Sequence, residues 1–212
     1  FDTGSALFQT ADEYERLVAN PVQDVKEMSK RQMVAAETQR GAVRLSQVNP
    51  DSDPTDSVGG VSFRHLSMLA QIKSSDGDVW SSLNRSGHII GDPSDSLKVR
   101  LARMRNWIDG PHFPEDAKLE IRSEIGDDAR GEIGTAGINF LRKLEALLSE
   151  CEWTDAGISE SISEACESTE VSRKQGFASI YWAIIGRRNG PKASSLIFEM
   201  DRGNILSLLG DA

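Results

Sequence analysis

The residues best able to carry chemistry in this chain are few and far apart. Lys26, Met28, Ser29 and Lys30, within "VKEMSKRQM" (25–33), are spaced as in a mobile loop that lays lysines against the phosphates of ATP. "SGHIIG" (86–91) sets His88 among glycine and isoleucine, like a second nucleotide-binding signature with its letters reordered. The setting is wrong for both. A phosphate loop needs a parallel nucleotide-binding sheet upstream, and too few residues precede Lys26 for a strand-helix-strand unit. Lys26 to Met33 consists of good helix formers and predicts a helix, with Ser29 and Lys30 inside it. His88 lies between polar turns with no helix start beside it, and the two pieces come in the reverse of the order an adenylating site uses. The three histidines, His65, His88 and His112, fall in separate segments. No G-x-S-x-G elbow, glycine-rich phosphate loop or HExxH is present. Glu145, Glu150 and Glu160 read as solvated carboxylates, and Cys151 and Cys166, without a CxxC, as structural residues. No catalytic residue and no metal site is expected, so the residues alone describe a non-catalytic module.

The elements that would position any site are helical nearly throughout. Leu97, Leu101, Met104 and Ile108 share one helix face, as do Phe63, Leu66, Leu69 and Ile72. Ile133, Gly137, Phe140, Leu141, Leu144 and Leu148 predict a long helix over about 127–150. Phe177, Ile180, Tyr181, Ile184 and Ile185 form a further apolar stripe, opened by Ser172 as N-cap and closed by Gly186. Asp201 caps a last short helix carrying Ile205, Leu208 and Leu209, and the stretch 7–48 reads as two helices broken near Pro21. Nothing alternates as a strand should. The fold class expected is all-α, a multi-helix bundle or cage of roughly eight to ten helices in two sub-bundles. The polar, Pro- and Gly-bearing stretch 49–60 is the best linker. The expected divisions are 1–60 as a helical connector, 61–170 as one sub-bundle and 171–212 as the C-terminal one.

A net charge of −9 argues against a generic nucleic-acid binder, but the charge is uneven. Lys98, Arg100, Arg103 and Arg105 follow one another without an acidic residue between them. From Val171 onward Arg173, Lys174, Arg187, Arg188, Lys192 and Arg202 face only Glu199, Asp201 and Asp211. Basic islands on an acidic body can hold RNA locally. No apolar run reaches the length of a membrane span and no signal peptide opens the chain, so a cytoplasmic protein without a membrane partner is expected. Because the chain opens on Phe1, the sequence reads as a fragment.

Three stretches, in order, carry a family resemblance: "TADEYERL" (10–17), "VSFRHLSMLAQI" (61–72) and "GFASIYWAIIGRRNGPKASSLIF" (176–198). They resemble the C-terminal half of class I, largely archaeal lysyl-tRNA synthetases, with Phe63-Arg64-His65-Leu66 the most specific piece. The chain departs from the pattern at Lys192, where Arg more often follows Gly-Pro, and at Ala193-Ser194, where a glycine-bearing turn is usual. The resemblance implies a helical cage that binds the anticodon of tRNA-Lys. It also implies a catalytic domain N-terminal to Phe1 that holds ATP and lysine, leaving this segment without a cofactor. The RNA-binding residues it suggests are Arg64, His65, Arg187, Arg188 and Lys192.

Each has a second reading. Cations at a helix C-terminus are favoured by its dipole without RNA, by about 0.3–1 kcal/mol each, and Arg64 and His65 can tie helices together. Tyr181 falls on the apolar stripe, Trp107 and Trp153 end helices as core anchors, and Lys98 to Arg105 is a further phosphate track on charge alone. The competing function is a protein-interaction module that shares the fold without binding RNA.

Overall fold

The computed structural model describes residues 5–19, 29–47 and 60–212. Among these the chain forms ten α-helices and no strand. It divides into two compact units, Phe1–Asp116 and Ala117–Ala212, so the division falls within the span 61–170. Lys26, Met28, Pro21 and the linker residues 49–59 lie outside the described residues.

The first unit holds α1 (Ser5–Ala19), α2 (Lys30–Ser46), α3 (Phe63–Ile72), α4 (Asp76–Arg85) and α5 (Asp95–Ile108). Ser29 is the N-cap of α2 rather than a residue inside it. Its hydroxyl accepts from Gln32 N, and its own N–H donates to Gln32 Oε1 at 2.8 Å, a reciprocal capping box. The serine and lysine that imitate a phosphate loop therefore open a helix, because a Ser-x-x-Gln spacing satisfies two orphan amides at once. Helix α3 packs on α1 and α5, and its Leu66 and Leu69 are fully buried. A ring cluster seals this junction: Phe8 lies 5.5 Å from Phe63 and 5.6 Å from Trp107, and Trp107 meets Phe113 edge-on at 4.7 Å.

The second unit holds α6 (Asp127–Glu150), α7 (Asp155–Ser168), α8 (Arg173–Ile185), α9 (Ala193–Glu199) and α10 (Arg202–Gly210). Helix α6 is the axis of this unit. Its expected face is buried, with Phe140, Leu141, Leu144 and Leu148 fully so, and α7, α8 and α10 pack against it. Helix α8 approaches α6 closely because its inner face is small. A Cβ on Gly176 would stand 2.7 Å from Cys166 Sγ and 3.1 Å from Phe140 Cζ, so only glycine fits there. Using Gly176, Ser179, Ile180, Ala183 and Ile184 as the buried face turns Phe177 outward, where it is exposed. Its place in the expected stripe is thus corrected: the small residues, not the aromatic ones, set the approach. Ser172 and Asp201 cap α8 and α10, accepting from Gln175 N and Asn204 N as their positions predict.

Candidate nucleic-acid interface

In the second unit the sequence-predicted cations Arg187, Arg188 and Lys192 lie on the turn between α8 and α9. Helix α8 ends at Gly186, whose φ of 62° is the left-handed conformation that a side chain resists. Arg122 lies over that glycine, where a Cβ would strike its guanidinium. The Arg122 amide donates to the Ile184 carbonyl at 2.8 Å, filling one of the acceptors left open by the helix end. Its guanidinium forms a forked pair with Asp128 at 3.0 and 2.8 Å. That pairing raises the Arg122 pKa and, with Arg122 as the largest cause, lowers the Asp128 carboxyl to about 2.

Beyond Gly186 the turn is held at its far end. The Tyr181 hydroxyl donates to the Pro191 carbonyl at 2.5 Å, and burial raises the tyrosine pKa. Lys192 Nζ reaches Asp155 Oδ2, while Ser194 and Ser195 donate to Asp155 Oδ1 at 3.0 and 2.8 Å. Burial pushes the Asp155 carboxyl up, but the hydrogen bonds from Lys192, Ser195 and Ser194 prevail and hold it below the ordinary value. Lys192 occupies the N-cap position of α9, so Pro191 lies just outside the helix. The departures from the family pattern at Lys192 and Ser194 thus coincide with the residues gathered by Asp155.

The three predicted cations do different work. Arg187 is half-buried and its guanidinium donates to the Lys118 carbonyl. Lys192 is exposed but paired with Asp155. Arg188 is exposed, followed by exposed Asn189 and Gly190, and makes no hydrogen bond or ion pair with the described residues. The turn is therefore a fastened loop with one unengaged guanidinium at its tip and three further cations, Arg122, Arg187 and Lys192, around its base. Arg122 and Asp155 were not expected. Both are remote from the turn in sequence, and only the fold brings them to it.

Arg64 and His65 belong to the first unit. Arg64 Nε pairs with Asp12 at 2.7 Å and its guanidinium covers the Phe8 ring at 5.1 Å, yet its side chain stays 51% exposed. One residue back, the Phe63 amide donates to Glu15 Oε1 at 2.6 Å. Two of the stretches singled out in the sequence, "DEYERL" and "FRHL", are therefore joined to each other through Asp12 and Glu15. The half-buried His65 stacks on His88 with ring centroids 4.6 Å apart.

The charge run 98–105 is largely engaged within the unit. Arg100 donates to the Val61 carbonyl at 3.1 Å; Arg105 donates to the Ala70 carbonyl at 3.0 Å and pairs with Asp76 at 2.7 Å. Lys98 pairs with Asp95 one turn before it. Charge along a sequence does not show which guanidiniums turn onto backbone carbonyls; here Arg105 caps the C-terminal end of α3 and Arg100 holds the segment that leads into it.

A family model described as "Anticodon binding domain" matches residues 92–209, more than half of the chain. Among curated proteins, a "Lysine--tRNA ligase" of Picrophilus torridus is 23% identical over 209 residues, covering 97% of this chain and 38% of the relative. Proteins of the same name from Pyrococcus horikoshii and Aeropyrum pernix are 24% and 28% identical over 78% and 77% of this chain, and 32% and 31% of their own lengths. The chain thus spans about a third of the length of these relatives.

Proposed function

The chain belongs to the anticodon binding domain family, and from that membership we propose that it is the anticodon-binding portion of a lysine–tRNA ligase whose partner is tRNA-Lys. Several curated relatives bear that ligase name and align over most of this chain. Lysine and ATP are, in this reading, bound by a catalytic part of the ligase outside these residues, in the cytoplasm, and this segment carries no cofactor. Among the described residues no helix is long and apolar enough to cross a membrane.

The observation that carries the reading is the fastened turn after α8. Unpaired anticodon bases sit between phosphates, and a protein reads them by fixing the phosphates with cations while base edges meet polar side chains. Arg188 and Asn189, a planar cation followed by an amide, stand exposed on a turn anchored by Tyr181, Asp155 and Arg122. Arg187 and Lys192 add positive potential at its base, and Lys192 can exchange Asp155 for a phosphate. Arg64 and His65 are proposed as a second RNA contact, because Arg64 remains half exposed while paired.

The reading is tested by titrating lysine tRNA against the wild-type chain and the R187E/R188E variant at two salt concentrations. The expected result is salt-dependent binding by the wild type, abolished by the double reversal with helicity intact. Unchanged affinity in the variant would exclude the turn as the RNA site.

A further inference from the structure

We propose that the stacked rings of His65 and His88 form a platform that receives one unpaired nucleobase of an RNA. This rests on the reading of the chain as an anticodon-binding segment and adds a site to it. Aromatic rings pair either edge-on or offset-stacked, and in this unit Phe8 meets Phe63 at 70° and Trp107 meets Phe113 at 74°. The two imidazoles instead lie nearly parallel, 16° apart with centroids 4.6 Å from each other. One face of His88 is covered by His65, and the residue is otherwise exposed.

The loop that carries His88 is fastened more firmly than an exposed loop needs to be. The Asn84 amide grips Gly91 twice, donating to its carbonyl at 2.9 Å and accepting its N–H at 2.8 Å. The His88 amide donates to the Leu83 carbonyl at 2.9 Å. Ser86 Oγ lies 2.7 Å from His88 Nδ1 and 3.0 Å from the Ser82 carbonyl. Whichever of the two carries the proton between them, the Ser86–His88 hydrogen bond fixes the rotation of the ring. This anchoring presents outward an imidazole plane and Ile90, which is 98% exposed. Neither side chain serves a core. A pre-set aromatic face beside an aliphatic edge is what an unstacked base requires, since any base offers a π-face to it and the loop loses little freedom on binding. Arg64 directly precedes His65, placing one cation beside the stacked pair in sequence for an adjoining phosphate.

The test uses the whole 212-residue chain and an RNA hairpin carrying the lysine anticodon loop, with 2-aminopurine placed at each loop position in turn. H88A is expected to weaken hairpin binding about tenfold and to remove the fluorescence change at one loop position. H88F is expected to restore both, because a phenyl ring stacks without the imidazole nitrogens. Wild-type binding that H88A leaves unchanged would overturn the platform while the anticodon-binding reading stands. Weakening by H88A that H88F does not restore would overturn stacking as its cause. Absence of hairpin binding by the wild type at low salt, where tRNA binds, would place RNA contact elsewhere and overturn the platform. Absence of both hairpin and tRNA binding would overturn the two readings together.

Discussion

Arg187 and Arg188 are neighbours in the chain, yet their substitutions are expected to separate stability from binding. R188A removes a guanidinium with no partner among the described residues. It should leave the melting temperature within measurement error and reduce the slope of log K against log salt by about one unit for tRNA. R187A also withdraws the donor to the Lys118 carbonyl, and should cost about 1–2 kcal/mol in denaturant unfolding besides its effect on RNA. Asp128 and Asp155 contribute to the acid limb of stability. Both carboxyls lie below their ordinary 3.8 in the folded chain, Asp128 at about 2. Their stabilisation is therefore complete above that ordinary value and is lost as pH falls through the folded values. Thermal melts of wild type and D128N should differ by a constant amount above about pH 5 and converge only below about pH 2.

The turn and the helices that hold it respond as units. G186A should cost about 1–2 kcal/mol for the left-handed backbone alone, with more from the overlap with Arg122. In a double-mutant cycle R122A should relieve the overlap, so the cost of G186A is smaller in that background. In α6, L144A empties a fully buried position and should cost about 2–5 kcal/mol by denaturant titration. Much of this architecture is legible in the sequence, because helix signals are local. The long stripe of α6, the Ser172 and Asp201 caps and the Gly186 stop each lie within a few residues of the structure they specify. The Ser29 cap was hidden by a chance likeness to a phosphate loop, and the outward turn of Phe177 by an apolar stripe that ignored the small residues beside it. The site was legible only as a cluster of charges. Arg122 and Asp155 stand about 65 and 35 residues before the turn they brace, a distance that periodicity does not cross. Arg100 and Arg105 show the converse, cations whose guanidiniums turn onto backbone carbonyls and serve the fold.

For the whole molecule, an acidic chain of net charge −9 that binds tRNA must do so through local basic surface rather than total charge. Binding should fall steeply with salt and, on the proposed function, should depend on the anticodon, since the exposed Arg188-Asn189 tip offers a cation for phosphates and an amide for base edges. The most direct measurement is a titration of the chain with lysine tRNA and with the same tRNA carrying a changed anticodon, each at low and moderate salt. The expected result is tighter binding of the lysine anticodon at both salts, with the preference surviving as the total affinity falls. Equal binding of the two RNAs would contradict anticodon reading by this chain.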